Sequence, residues 1–242
     1  MDKPSMRGLL SLLAFVSCAL CTQWANAERL VISQNQGSQT HSLAQGIVQE
    51  VYAELGIDVE FQQYPAMRGV VLANAGTVDG DVARIDGIER SYPNLIRVPT
   101  PIFQLRAYAY GLDERISVDD WSDLQGLRVG IIYGVEYMEV GTRGIERERY
   151  QRFDAMFNAL FARRIDVAIS SRPQVAEISV INQDQTKLHI LGRPLRDAPL
   201  YHVLHKKHGE LVSRVDRQLR SMQETGRLDE LYQSLLANVQ DD

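Results

Sequence analysis

The chain has 242 residues, is 45% hydrophobic and 24% charged, and carries a formal net charge of −5 with 2 cysteines. That acidic balance argues against a nucleic-acid partner, which needs a basic face. Past the first residues, no apolar run approaches the roughly 18 residues that suggest a membrane span.

Lys3 and Arg7 flank the start of the apolar run from Gly8 to Val16, and Ala25-Asn26-Ala27 offers a small-x-small cleavage site. Residues 1–27 are therefore expected to be a cleaved secretory signal peptide. Cys18 and Cys21 both fall inside it. The expected mature chain, about 215 residues, then has no disulfide framework, cysteine nucleophile or thiolate metal site, and is one unit more acidic. Phe15-Val16-Ser17-Cys18 loosely resembles a lipoprotein box, but Phe is a poor first residue, so anchoring at Cys18 is not expected. Export without cysteine staples points to a bacterial periplasm.

Leu30-Val31-Ile32-Ser33 reads as a buried strand, followed by the polar loop Gln34 to Thr40. Ser42 and Gln45 form a capping-box pattern ahead of Ile47, Val48, Val51, Tyr52 and Leu55 at helical spacing, with Gly56 as the stop. Val59 to Tyr64 alternates as a strand, Met67 to Ala75 predicts a helix ending at Gly76, and Val78 to Ile85 a third strand. This β-α-β-α-β order implies a parallel sheet covered by helices. A second set follows: a strand over Leu127 to Ile132, a helix around Tyr150 to Phe161, a strand over Ile165 to Ser170 and a short one over Leu188 to Leu191. Leu211, Val215, Leu219 and Met222 mark an amphipathic helix ended by Gly226, and a last helix runs from about Leu228 to Leu236. The helix-to-strand junctions ending in Asp79 and Asp166 echo each other, as two related halves would.

In open α/β sheets, ligands sit beyond the carboxyl ends of the strands. Those ends carry Asn35, Gln36, Tyr64, Arg68 and Arg84 in the first half, and Tyr133, Glu136, Tyr137, Ser171 and Arg172 in the second. Arg84 and Arg172 end equivalent strands, and a guanidinium fork matches a carboxylate or phosphate bidentately. Each charge-assisted hydrogen bond contributes roughly 1.5–3 kcal/mol. Asp81, Asp86 and Glu89 are close enough in sequence to engage Arg84 instead, and tyrosines at such places are more often core or rim residues than stacking partners.

Six pieces occur in a characteristic order: Tyr64-Pro65-Ala66-Met67-Arg68, Gly76-Thr77-Val78-Asp79-Gly80, Pro99-Thr100-Pro101-Ile102, Asp123-Leu124-Gln125-Gly126-Leu127-Arg128-Val129-Gly130, Arg164 to Ile169, and the closing run with Thr225-Gly226-Arg227. Together they give a resemblance to the periplasmic solute-binding proteins of the amino-acid type (family 3). It implies an α/β, two-lobed periplasmic binding protein fold (type II), each lobe a mainly parallel sheet flanked by helices, with a two-strand hinge near Phe103 to Tyr110 and Leu195 to Leu204. Lobe 1 would comprise residues 28–106 plus 200–242, and lobe 2 residues 107–199. The expected role is capture of a small solute between the lobes for an ABC-type importer or a membrane sensor, by a monomer with no cofactor.

The departures from the family pattern concern the ligand. Arg90 stands close to the arginine that grips an amino-acid carboxylate, but Gly87-Ile88-Glu89 replaces the preceding Thr. The usual Gly-Thr at the start of lobe 2 is Gly134-Val135, and the aspartate that holds an amino group would fall near Ser171. The expected ligand is an amino-acid-like polar or anionic solute other than a standard α-amino acid. Arg84 and Arg172 are its anchors, Arg68 and Arg90 secondary candidates, and Tyr64, Gln36, Tyr133, Glu136 and Ser171 further contacts. The competing reading is a periplasmic enzyme on the same fold, dehydratase-like, using Glu136 with His202 or Glu89 as an acid/base pair. No Gly-x-Ser-x-Gly or phosphate-loop motif supports it. His202, His205 and His208 recur by threes, but the strand pattern of Tyr201 to Leu204 splits the first two onto opposite faces, so no metal site is expected.

Overall fold

A computed structural model describes residues 29–175 and 187–241; the expected leader lies outside the described residues. In chain order the elements are β1 (Leu30–Asn35), α1 (Gln39–Glu54), β2 (Val59–Tyr64), α2 (Ala66–Ala75), β3 (Gly80–Ile85), β4 (Leu95–Arg97), β5 (Phe103–Gly111), β6 (Val129–Ile132), α3 (Glu136–Gly141), β7 (Arg147–Tyr150), α4 (Phe153–Phe161), β8 (Val167–Ser171), β9 (His189–Ile190), β10 (Arg196–His205), α5 (Gly209–Glu224) and α6 (Arg227–Asp241). The ladder runs β2-β1-β3-β10-β5-β8-β6-β7, with β4 on β10 and β9 on β5.

Two sets of parallel strands are visible in that order. β1 pairs parallel with β2 and β3, and β6 pairs parallel with β7 and β8. Between them β10 and β5 pair antiparallel, from Arg196 against Ala107 to Leu200 against Phe103. Each of the two also pairs antiparallel with one set, β10 with β3 and β5 with β8. They are the route by which the chain crosses between the sets.

Each set has its own core. Ile32, Ala44, Ile47, Val51, Tyr52, Leu204, Val215 and Leu219 belong to one buried cluster, drawn from both ends of the described chain. Val129, Ile131, Met156, Phe157, Leu160, Val167 and Ile169 belong to another, from its middle. α1 packs because Leu43, Ile47, Val48, Val51 and Tyr52 share one face. Burial of each such side chain contributes about 1.5–3 kcal/mol.

The internal echo has a structural counterpart. Gly76 (φ 75°) follows α2 and Arg163 (φ 56°) follows α4, each in the left-handed region. Three residues later an aspartate closes the same pair of bonds onto the adjoining strand. Val31 N–H donates to Asp79 Oδ2 at 2.7 Å while Asp79 N–H donates to the Val31 carbonyl. Arg128 N–H donates to Asp166 Oδ2 at 2.9 Å while Asp166 N–H donates to the Arg128 carbonyl.

Some boundaries differ from expectation. α1 begins at Gln39, not at a Ser42 cap, because Ser38 Oγ accepts from His41 N–H and Ser42 lies one turn inside. The stretch from Tyr150 is not helical until Phe153, because Arg147–Tyr150 pairs with β6 as an edge strand.

Candidate functional site

A cavity of about 400 Å³ opens where the carboxyl ends of the parallel strands of both sets converge. One side is built from the loop after β1 (Asn35, Gln36, Ser38), the start of α1 (Thr40, His41), α2 (Met67, Val70) and the end of β3 (Arg84, Ile85). The facing side is the turn after β6 (Tyr133, Gly134, Val135), the start of α3 (Glu136, Tyr137), residues 151–153, and Ser171 at the end of β8. The halves touch across it. Thr40 Oγ1 and Ser171 Oγ are 2.9 Å apart, and Gln39 N–H donates to Gln174 Oε1 at 2.9 Å. Tyr137 packs against both cores. Met67 closes so tightly on Gly134 (φ 77°) that a Cβ there would lie 2.3 Å from Met67 Cγ.

Beneath the cavity lies a buried polar network. Asp81, fully buried, accepts from Arg84 Nη2 at 2.5 Å and from Ser33 Oγ at 2.7 Å. Burial opposes ionisation of Asp81, but the Arg84 charge and the Arg84 and Ser33 hydrogen bonds outweigh it and hold the carboxyl below its ordinary range. Arg84 Nη2 also donates to Asn35 Oδ1 at 3.2 Å and to the Ala66 carbonyl at 3.4 Å, while its Nε is buried without a partner. His41 Nδ1 accepts from Asn35 N–H at 3.1 Å, and burial lowers the ring to about 4, so it is neutral with its proton on Nε2.

Of the nine residues expected to bind ligand, the structure brings Gln36, Arg84, Tyr133, Glu136 and Ser171 to this cavity. Four are not among its lining. Tyr64 O–H donates to Gln62 Oε1 on its own strand. Arg68 is exposed on α2, and Arg90 is exposed with its guanidinium folded over Gly87. Arg172 is exposed, sits 5.2 Å over the Tyr108 ring, and lines an adjoining cavity of about 460 Å³, beside Phe103 and Tyr232, that shares Thr40, Leu105 and Ser171 with the first. The cavity therefore differs from the expected arginine cluster. Its second arginine, Arg152, pairs with Asp154 at 2.7 Å, and Glu139 pairs with Arg149 at 2.9 Å.

The acid/base pairs of the enzyme reading are not assembled. His202 is fully buried, with Tyr52 O–H donating to its Nε2 and its Nδ1–H donating to the Asp81 carbonyl, and it does not line the cavity. Glu89 pairs with Arg97 at 3.6 Å. His208 turns to Asp79 at 2.7 Å, and among the described residues no group of three or more His, Cys, Asp or Glu could hold a metal. No described helix is long and apolar enough to cross a membrane. The sequence reading passed over His41, whose signal is a histidine in the first helical turn after the first strand's loop. It also passed over the apolar lining, Ile85, Ile88, Leu105 and Leu200.

No family model matches the chain. An uncharacterised protein of Shewanella oneidensis is 26% identical over 218 residues, covering 82% of this chain and 77% of that one. Among solved structures, a histidine kinase sensor domain described as similar to periplasmic binding proteins aligns with a TM-score of 0.75 at 15% identity, over 86% of this chain and 96% of that chain. An ancestral arginine-binding protein bound to arginine aligns with a TM-score of 0.74 at 16% identity, over 86% and 97%. At such identities the likeness shows the fold: α/β, of the two-lobed type II periplasmic binding protein class.

Proposed function

We propose that the chain is an exported solute-binding protein that captures a small polar or anionic solute between two lobes, residues 28–106 plus 200–242 and residues 107–199. The observation that carries this reading is the cavity of about 400 Å³ lined from both halves, with Arg84 in its wall. Its size falls within the roughly 300–1,000 Å³ of small-molecule sites. Arg84 is the anchor, with Gln36, Tyr133, Glu136 and Ser171 as contacts. A solute touching both sides favours the closed arrangement through its differential affinity. The similar solved structures include both a histidine kinase sensor domain and an amino acid ABC transporter substrate-binding protein, which supports either a sensor or an importer as the partner.

A thermal-shift screen of small metabolites on the chain from residue 28 onward tests the proposal, since binding to the folded state raises the melting temperature by mass action. The expected result is a positive shift with at least one solute, lost in Arg84→Ala. A broad panel of amino acids, organic acids, amines and sugars that leaves the melting temperature unchanged would overturn it.

A further inference from the structure

The groups in the cavity wall restrict the solute beyond "polar or anionic". Arg84 spends Nη2 on Asp81, Asn35 and the Ala66 carbonyl. Its Nε is buried and unpartnered, and among the described residues no protein acceptor meets Nη1. Asn35 N–H occupies His41 Nδ1, so the neutral ring presents Nε2–H, for which no described residue supplies an acceptor. Both side chains are largely buried: Arg84 is 12% exposed and His41 6%. Nε is closed off from solvent, whereas Nη1 and His41 Nε2 are open to an acceptor in the cavity. Two donor-bearing side chains aimed into one cavity ask for an oxyanion.

The charge of that oxyanion is limited to one. Asp81 already neutralises Arg84 at 2.5 Å, Glu139 is neutralised by Arg147 and Arg149, and Glu136 adds negative charge to the facing wall. A second carboxylate on the solute would meet the charge of Glu136 and no unspent cation among the arginines of the lining, since Arg152 is taken by Asp154. An α-ammonium group placed beside Arg84 has no unfilled carboxylate there. Beside Arg84 the nearest carboxylate is Asp81, filled by Arg84 and Ser33, while Glu139 is filled by Arg147 and Arg149 and Glu136 is exposed at the opposite wall. The rest of the wall is apolar: Ile85, Ile88, Leu105, Val135, Phe153 and Leu200.

Resting on the solute-binding reading, we propose that the solute is a monocarboxylate with an apolar, branched or aromatic body, and that Arg84 and neutral His41 together hold its carboxylate. His41 is then a specificity-determining residue. It rewards an acceptor that a single negative charge supplies and gives nothing to an ammonium group.

The test is calorimetric titration of the chain from residue 28 with matched sets: aliphatic and aromatic monocarboxylates, each with its α-amino, amide and dicarboxylate counterpart. The expected result is that the tightest monocarboxylate binds at least about tenfold better than its three counterparts. His41→Gln, whose amide can place an N–H near the Nε2 position, should retain binding better than His41→Asn, which should lose about tenfold. If an α-amino acid or a dicarboxylate binds best, the class is overturned while the solute-binding reading stands. If His41→Asn, folded by circular dichroism, binds the monocarboxylate as wild type does, the role of His41 is overturned. If nothing in these sets or the wider metabolite screen binds, the solute-binding reading itself fails.

Discussion

His41 and His202 make the stability of this protein depend on pH in a window set by their burial. Burial is the main cause in both, and each ring falls from an ordinary 6.5 to about 4 in the folded chain. Below pH 6.5 the unfolded chain takes up a proton at each histidine that the folded chain refuses until about pH 4. The unfolded state therefore binds more protons in this window, and stability rises with pH. It is fully present above about 6.5 and is lost as pH falls toward 4. One proton corresponds to about 1.4 kcal/mol per pH unit, so the two histidines together give a slope approaching about 3 kcal/mol per unit. Against a typical total of about 5–15 kcal/mol, a drop from pH 6.5 to 5 consumes a large share. Lowered carboxylates, Asp79, Asp81 and Asp216 among them, add their loss at lower pH, because they must be protonated in acid. The assay is urea unfolding at pH 7.5, 6.5, 5.5 and 4.5, followed by circular dichroism. His41→Asn and His202→Asn should each be less stable at pH 7.5 but flatter in pH, each losing about half of the slope. Wild-type and variant profiles that run parallel between pH 6.5 and 4.5 would refute the reasoning.

Two further predictions concern local structure. Arg163→Gly should stabilise the chain by about 0.5–1 kcal/mol, since a left-handed residue other than glycine costs about 1–2 kcal/mol and glycine's added chain entropy returns part of it; equal or lower urea midpoints would contradict this. Gly141→Ala should destabilise by about 1–3 kcal/mol, because its Cβ would lie 2.5 Å from the Trp121 ring. The same variant should change the emission of Trp121, the one tryptophan beyond residues 1–27, and an unchanged spectrum and stability would count against this packing.

Much of the fold was legible because its signals are local. The apolar spacing of Leu43 to Tyr52 and the glycine at position 76 each act within a few residues, and the helices they predict are present. β7 was not legible: Arg147-Glu148-Arg149-Tyr150 has no apolar run, and it becomes a strand only because β6 offers an edge to pair with. The candidate site was legible in position more than in chemistry. The strand-end rule named Gln36, Arg84, Tyr133, Glu136 and Ser171, which line the cavity, but it could not say which arginines turn inward. Arg172 follows β8 as Arg84 closes β3, yet it swings over Tyr108, while Arg84 is held by Asp81 three residues earlier. The Asp81 partner is local and within reach of the sequence, but Tyr108 is distant from Arg172 in the chain, and so are Leu105 and Leu200 from the rest of the wall, which they meet only through the paired β5 and β10.

The central claim, capture of a solute at Arg84 in the cavity between the halves, is tested most directly by one titration. The tightest solute from the screen is titrated into wild type, Arg84→Ala and Arg172→Ala. The account predicts that Arg84→Ala weakens binding by at least about tenfold, the loss of one or more charge-assisted hydrogen bonds, and that Arg172→Ala leaves it within about twofold. Full affinity in Arg84→Ala, or a larger loss in Arg172→Ala, would contradict it.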